Sequence, residues 1–114
     1  MILLKKYTIS IDDNKYIKKF FELNFKYEEY IKNKIYNSTL DLINNAPHKI
    51  KTVKGYKYLN KTIYEYKIPL DTNLDCRVAY VFDGEKIIFF YMSNIIRKNE
   101  FTKLVSKLSN VQRV

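Results

Sequence analysis

The sequence predicts a single α+β domain spanning residues 1–114: an N-terminal strand and two helices packed on a mostly antiparallel four-stranded sheet, closed by a short C-terminal helix. Three observations predict it. Tyr7-Thr8-Ile9-Ser10-Ile11 alternates apolar and polar residues, the period of a half-buried strand. Two long apolar, β-branched and aromatic runs flank Asp83-Gly84, a strong hairpin signal. Between these β signals, and again after the second, apolar residues recur at helical spacing.

Each element has a local reason. After the first strand, Asp12, Asp13 and Asn14 offer N-cap oxygens to a short helix that puts Tyr16, Ile17, Phe20 and Phe21 on one face and ends near Asn24. From Lys26 to about Asn45, Tyr27, Ile31, Ile35, Leu40, Leu42 and Ile43 form a wide apolar stripe, and Pro47 stops that helix. Residues 46–61 show no strong period and read as a basic, aromatic connection. Thr62-Ile63-Tyr64-Glu65-Tyr66-Lys67-Ile68 has strand composition and should end at Pro69. Residues 77–82 and 86–92 form the hairpin, and their nearly continuous apolar character suits the middle of a sheet covered on both faces. Asn99 can cap a last helix in which Phe101, Leu104, Val105 and Leu108 share a face.

Composition narrows the function. Lys and Arg total 21 against 12 Asp and Glu, a formal net charge of +9, which suits an anionic partner. The two glycines, Gly55 and Gly84, are too few and too far apart for a phosphate-cradling loop, so a nucleotide cofactor is not expected. One cysteine, Cys76, and one histidine, His48, cannot form a disulfide framework or a zinc site. Cys76 reads as packing and His48 as a solvated loop residue. No apolar run approaches the ~18 residues of a membrane span. The opening Met1-Ile2-Leu3-Leu4-Lys5-Lys6 lacks the order of a secretory signal, so a cytoplasmic protein is expected.

Only three of the basic residues are arginines: Arg77, Arg97 and Arg113. Arg77 heads a central strand, where a guanidinium needs solvent or a partner; Asp71 and Asp75 are near in sequence. Strand alternation places Arg77, Ala79 and Val81 on one face and Val78, Tyr80 and Phe82 on the other. In an antiparallel meander, Arg97, after the last strand, and Lys67, near the end of the strand before the one that Arg77 heads, come to the same sheet edge as Arg77. Such a cluster suits a phosphate, because forked guanidinium groups bind two oxygens at once. Glu65 reads as a structural residue able to pair with Lys67.

The segments Tyr64-Glu65-Tyr66-Lys67-Ile68, Arg77-Val78-Ala79-Tyr80-Val81 and Ile87 through Asn99 together resemble the C-terminal half of the RelE/ParE toxin superfamily. The Arg-x-x-Tyr strand opening, the Asp-Gly hairpin and Ser93-x-x-x-Arg97 before a short helix carry the resemblance. It implies a toxin of a type II toxin–antitoxin system, a ribosome-dependent endoribonuclease that cleaves mRNA by 2′-hydroxyl attack without metal or cofactor. By that resemblance Arg77 stabilises the phosphorane, Arg97 binds phosphate and Lys67 assists proton transfer. Lys54, Lys57, Lys98 and Lys103 would contact RNA, and the partners would be the ribosome, mRNA and a cognate acidic antitoxin. The closing helix departs from the family pattern, offering Phe101 and Lys103 where a tyrosine acts, with Tyr80 or Tyr91 as possible replacements. A ParE-like toxin that inhibits DNA gyrase, or a non-catalytic basic RNA- or protein-binding module, is the alternative.

Overall fold

A computed structural model describes residues 6–95 and 97–114; Met1–Lys5, where most of the opening segment falls, and Ile96 lie outside the described residues. The chain runs β1 (Thr8–Ile11), α1 (Lys15–Leu23), a 3-10 turn, α2 (Glu28–Asn45), a second 3-10 turn, β2 (Lys51–Tyr58), β3 (Lys61–Asp71), β4 (Leu74–Asp83), β5 (Lys86–Ser93), α3 (Lys98–Ser106) and β6 (Val111–Arg113). The sheet has six strands in the order β1-β5-β4-β3-β2-β6, with β1 parallel to β5 and every other pair antiparallel. The α+β class and the order strand, two helices, meander, helix are as expected; the four-stranded sheet is not.

The two extra strands lie at the β2–β6 side. β2 occupies the stretch read as an irregular connection. Its alternation is broken where the register against β3 shifts between Thr52 and Lys57, around Gly55 at φ +86. Five steps on β2 oppose two on β3 there, an irregularity that erases the period-2 signal while pairing resumes at Lys57. β6 pairs Val111–Arg113 with Tyr58–Tyr56, so Arg113 belongs to a sheet edge rather than a frayed end.

β3 also runs past its expected stop. Pro69 pairs with Asp75 of β4, and β2 begins only opposite Glu65. Beyond that point β3 is an edge, so the missing proline N–H deprives no neighbour.

Each face of the sheet carries its own core. On one face Ile17, Phe20 and Phe21 of α1 and Ile31 and Ile35 of α2 pack with Tyr66, Ile68, Val78, Tyr80, Ile87 and Phe89. The Tyr66 hydroxyl shares a 2.9 Å hydrogen bond with Thr39, itself donating to the Ile35 carbonyl, which ties α2 to β3. On the other face α3 brings Phe101 and Val105 against Val53, Ile63, Ala79, Val81 and Phe90. Asn14, one of the anticipated caps, accepts from the Tyr16 and Ile17 amides and donates to the Phe90 carbonyl, fixing the start of α1 to β5. The N-cap of α3 is Arg97 rather than Asn99; Asn99 lies inside the helix, its side chain bonded to the next amide.

A register shift between Ala79 and Tyr80 pairs Tyr91 with Ala79 but Phe89 with Tyr80. Phe90 is the extra residue, and both Phe90 and Tyr91 pack on the α3 side. This bulge also sets Ser93 directly opposite Arg77.

Candidate functional site

The alternation on β4 is as expected: Ala79 and Val81 face α3, while Val78 and Tyr80 face α1 and α2. Arg77 shares the α3 face. Across β3 its direct partner is Lys67, and across β5 it is Ser93. One step along, the pairs are Lys51 with Glu65 and Glu65 with Ala79. Four strands therefore bring Lys51, Glu65, Lys67, Arg77 and Ser93 to one end of one face.

The guanidinium groups of Arg77 and Arg97 do not face a common cleft. Arg77 Nη1 donates to Glu65 Oε1, with side-chain exposures of 14% for Arg77 and 0% for Glu65. Its carboxylate partner is thus neither Asp71 nor Asp75, and Glu65 pairs with Arg77 rather than Lys67. Phe101 lies over the guanidinium at 5.8 Å from ring centroid to Cζ, adding a cation–π contact and covering the pair from α3. Arg97 is 80% exposed at the start of α3, with Glu100 at 3.9 Å. Two anchored elements hold the buried pair, while Arg97 projects from the surface beyond Ser93.

Glu65 is the functional candidate that sequence reasoning undervalued. It is fully buried, one oxygen is bonded to Arg77, and Oε2 has no hydrogen-bond partner among the described residues. Buried polar atoms are nearly always satisfied, so an exception is a candidate for strain, chemistry or a bound water. The signal in the sequence is a lone carboxylate between Ile63 and the buried Tyr66, in a strand otherwise made to be covered.

The other expected residues divide. Lys67 is exposed beside Arg77. Lys98 and Lys103 lie exposed on α3. Lys54 and Lys57 are on β2, and the pairing of Lys57 with Thr62 puts it five positions along β3 from Lys67, roughly 17 Å at strand rise. They do not join the cluster. Tyr80 is sealed in the opposite core, which raises its phenol pKa strongly. Tyr91 is on the Arg77 side, half-buried against Phe101 and Tyr16, and burial raises its pKa as well. His48 is exposed in the turn after α2. Cys76 is fully buried, and burial pushes its thiol up to about 12, the behaviour of a packing residue.

No helix among the described residues is long and apolar enough to cross a membrane. Neither a protein-family model, a curated protein nor a solved structure matches the chain.

Proposed function

We propose that this chain is a RelE-like toxin of a type II toxin–antitoxin pair, a ribosome-dependent endoribonuclease that cuts mRNA through its own 2′-hydroxyl. The observation that carries the reading is Glu65: a fully buried carboxylate with one oxygen on Arg77 and the other without a partner, beside exposed Lys67. A buried ion pair gains little over apolar residues of the same volume, so packing alone does not account for one at the head of a cationic row. The layout supports the same reading, with β1 parallel to β5 and two helices on one face.

In this reading the scissile phosphate lies over Lys67 and Arg77. Glu65 Oε2 takes the proton from the 2′-hydroxyl as that oxygen attacks phosphorus, and the bond to the 5′-oxygen breaks. The leaving oxygen takes a proton from the Lys67 ammonium, giving a 2′,3′-cyclic phosphate and a free 5′-hydroxyl. Arg77 offsets the charge that grows on the phosphorane, and Arg97, at the surface, is left to a flanking phosphate. Because Glu65 is enclosed, the Phe101 end of α3 must swing aside before substrate reaches it. The carboxylate also replaces the tyrosine that α3 lacks.

A second reading has its own observation. As it stands, the closed Glu65–Arg77 pair presents no reactive group to solvent, which suits a non-nuclease, ParE-like toxin acting on DNA gyrase, or a basic binding module. Inducible expression of the wild type beside Arg77→Ala and the gentler Glu65→Gln separates them. Growth arrest with truncated transcripts, relieved by either substitution, supports the nuclease. Arrest with intact transcripts and halted DNA replication overturns it.

A further inference from the structure

Clefts of differing charge border α1, among them a small one of about 160 Å³ lined by both Asp12 and Lys15. The cleft between α1 and α2 is about 570 Å³ and mixes Asp12, Asp13, Glu22 and Glu28 with Lys18 and Lys32. Another, about 460 Å³, runs between α1 and the end of β5; Lys15 and Lys19 line it and no carboxylate does. Those two lysines stand one helical turn apart on the same side of α1, and neither is in an ion pair among the described residues. Lys15 instead rests over the Tyr16 ring.

The walls are partly aromatic and apolar. Tyr16 and Tyr91 meet edge-on with centroids 6.2 Å apart, and Leu23 is 74% exposed at the mouth. Asn94 adds a side-chain amide whose Nδ2 is bonded to the Asp75 carbonyl, leaving its oxygen to accept. The cleft is also continuous with the candidate site, since Ser93 both lines it and pairs with Arg77.

We propose that this cleft is a nucleobase subsite. It takes one base of the single-stranded RNA whose scissile phosphate lies at Lys67 and Arg77, while Lys15 and Lys19 hold the flanking phosphates. Stacking against aromatic and apolar walls beside a cationic rail is the general chemistry of single-strand recognition. Two exposed lysines in a cleft whose own wall holds no carboxylate supply the charge, and the mixed cleft on the other side of α1 does not. The inference rests on the RNA reading of the Glu65–Arg77 site.

The test uses the full chain and a fluorescent 2′-O-methyl RNA pentamer of mixed sequence, which lacks the attacking hydroxyl, read by anisotropy. Lys15→Glu with Lys19→Glu should weaken binding tenfold or more. Lys26→Glu, in the 3-10 turn before α2, with Lys34→Glu, on α2, makes the same charge change elsewhere, corrects for the general field and should cost less than half as much on a logarithmic scale. Pentamers with a single abasic position should show one place where the missing base costs about fivefold or more, and Leu23→Ser should erase that difference. Equal losses for the two lysine pairs, or no position-specific abasic effect, overturn the subsite. So does a Glu-rich peptide that displaces the RNA and loses its own binding in Lys15→Glu/Lys19→Glu, because the cleft then takes protein. Failure of the subsite leaves mRNA cleavage by the wild type intact, whereas failure of the nuclease reading shows as uncleaved mRNA whatever the pentamer does.

Discussion

Replacing Arg77 by Leu should be among the most damaging substitutions in this chain. The guanidinium is the partner of Glu65, whose side chain is 0% exposed and whose Oε2 already lacks a hydrogen bond. Without Arg77 both oxygens face the core formed by Ile63, Ala79 and Phe101. Breaking one side of a buried pair costs about 3–5 kcal/mol, because a charge or an unsatisfied carboxyl stays behind. Domains of this size have a total stability of roughly 6–17 kcal/mol, so the loss is a large share of it. Removing both partners should behave differently. In Glu65→Leu/Arg77→Leu no buried carboxylate is left without its cation, and the double variant should lie closer to the wild type than Arg77→Leu alone. Urea unfolding followed by circular dichroism, run as a double-mutant cycle, measures the coupling. A cost under about 1 kcal/mol for Arg77→Leu alone, with additive single effects, would refute the claim that the two groups form one buried unit.

Other expectations follow from backbone and burial. The β2–β3 hairpin turns on Leu59 and Asn60 at φ +49 and +64, a type I′ pattern that disfavours leucine; Leu59→Asn should stabilise by roughly 1 kcal/mol in the same unfolding assay. Gly84 opens the β4–β5 loop at φ +60, and a Cβ there would meet nothing within 4 Å, so Gly84→Ala should cost about 1–2 kcal/mol through the backbone alone. Burial raises Cys76 and Tyr66 to about 12 and Tyr80 further still, so each group ionises more easily in the unfolded chain. Their contribution to stability is full below about pH 8 and falls as pH rises toward 12, which an alkaline unfolding titration reads directly. Cys76 should resist a disulfide reagent at pH 8 until the protein is unfolded.

The parts of the fold that were legible in the sequence are those with an unbroken local period. β1, α1, α2, the β4–β5 hairpin and α3 each carry their own pattern. β2 was hidden because Gly55 and the register shift interrupt alternation in a lysine-rich stretch, and β6 because three residues hold no period at all. The hairpin itself turns one position later than Asp83-Gly84 suggests: Asp83 pairs with Lys86, the loop is Gly84-Glu85, and the single positive φ at its first position fits a type II′ turn.

At the site, the scarcity of arginine pointed to Arg77, and strand order placed Lys67 beside it. The partner was not legible, because Glu65 and Arg77 share a face only after the register of the two-residue Thr72-Asn73 loop, with Asn73 at φ +128, shifts by one residue between Pro69 and Asp71. Loop geometry of that kind leaves little trace in composition. Nor does sequence spacing say whether Arg97 turns inward; in the structure it stays at the surface with Glu100.

The central claim is that Glu65 performs chemistry rather than packing. The measurement that tests it most directly is the analysis of mRNA ends after incubating translating ribosomes with the wild type and with Glu65→Gln, each first shown to be folded. The account predicts cleaved mRNA bearing 2′,3′-cyclic phosphate ends with the wild type, and a rate at least about a hundredfold lower with Glu65→Gln. Cleavage by Glu65→Gln at the wild-type rate, or no cleavage by the wild type, would contradict it.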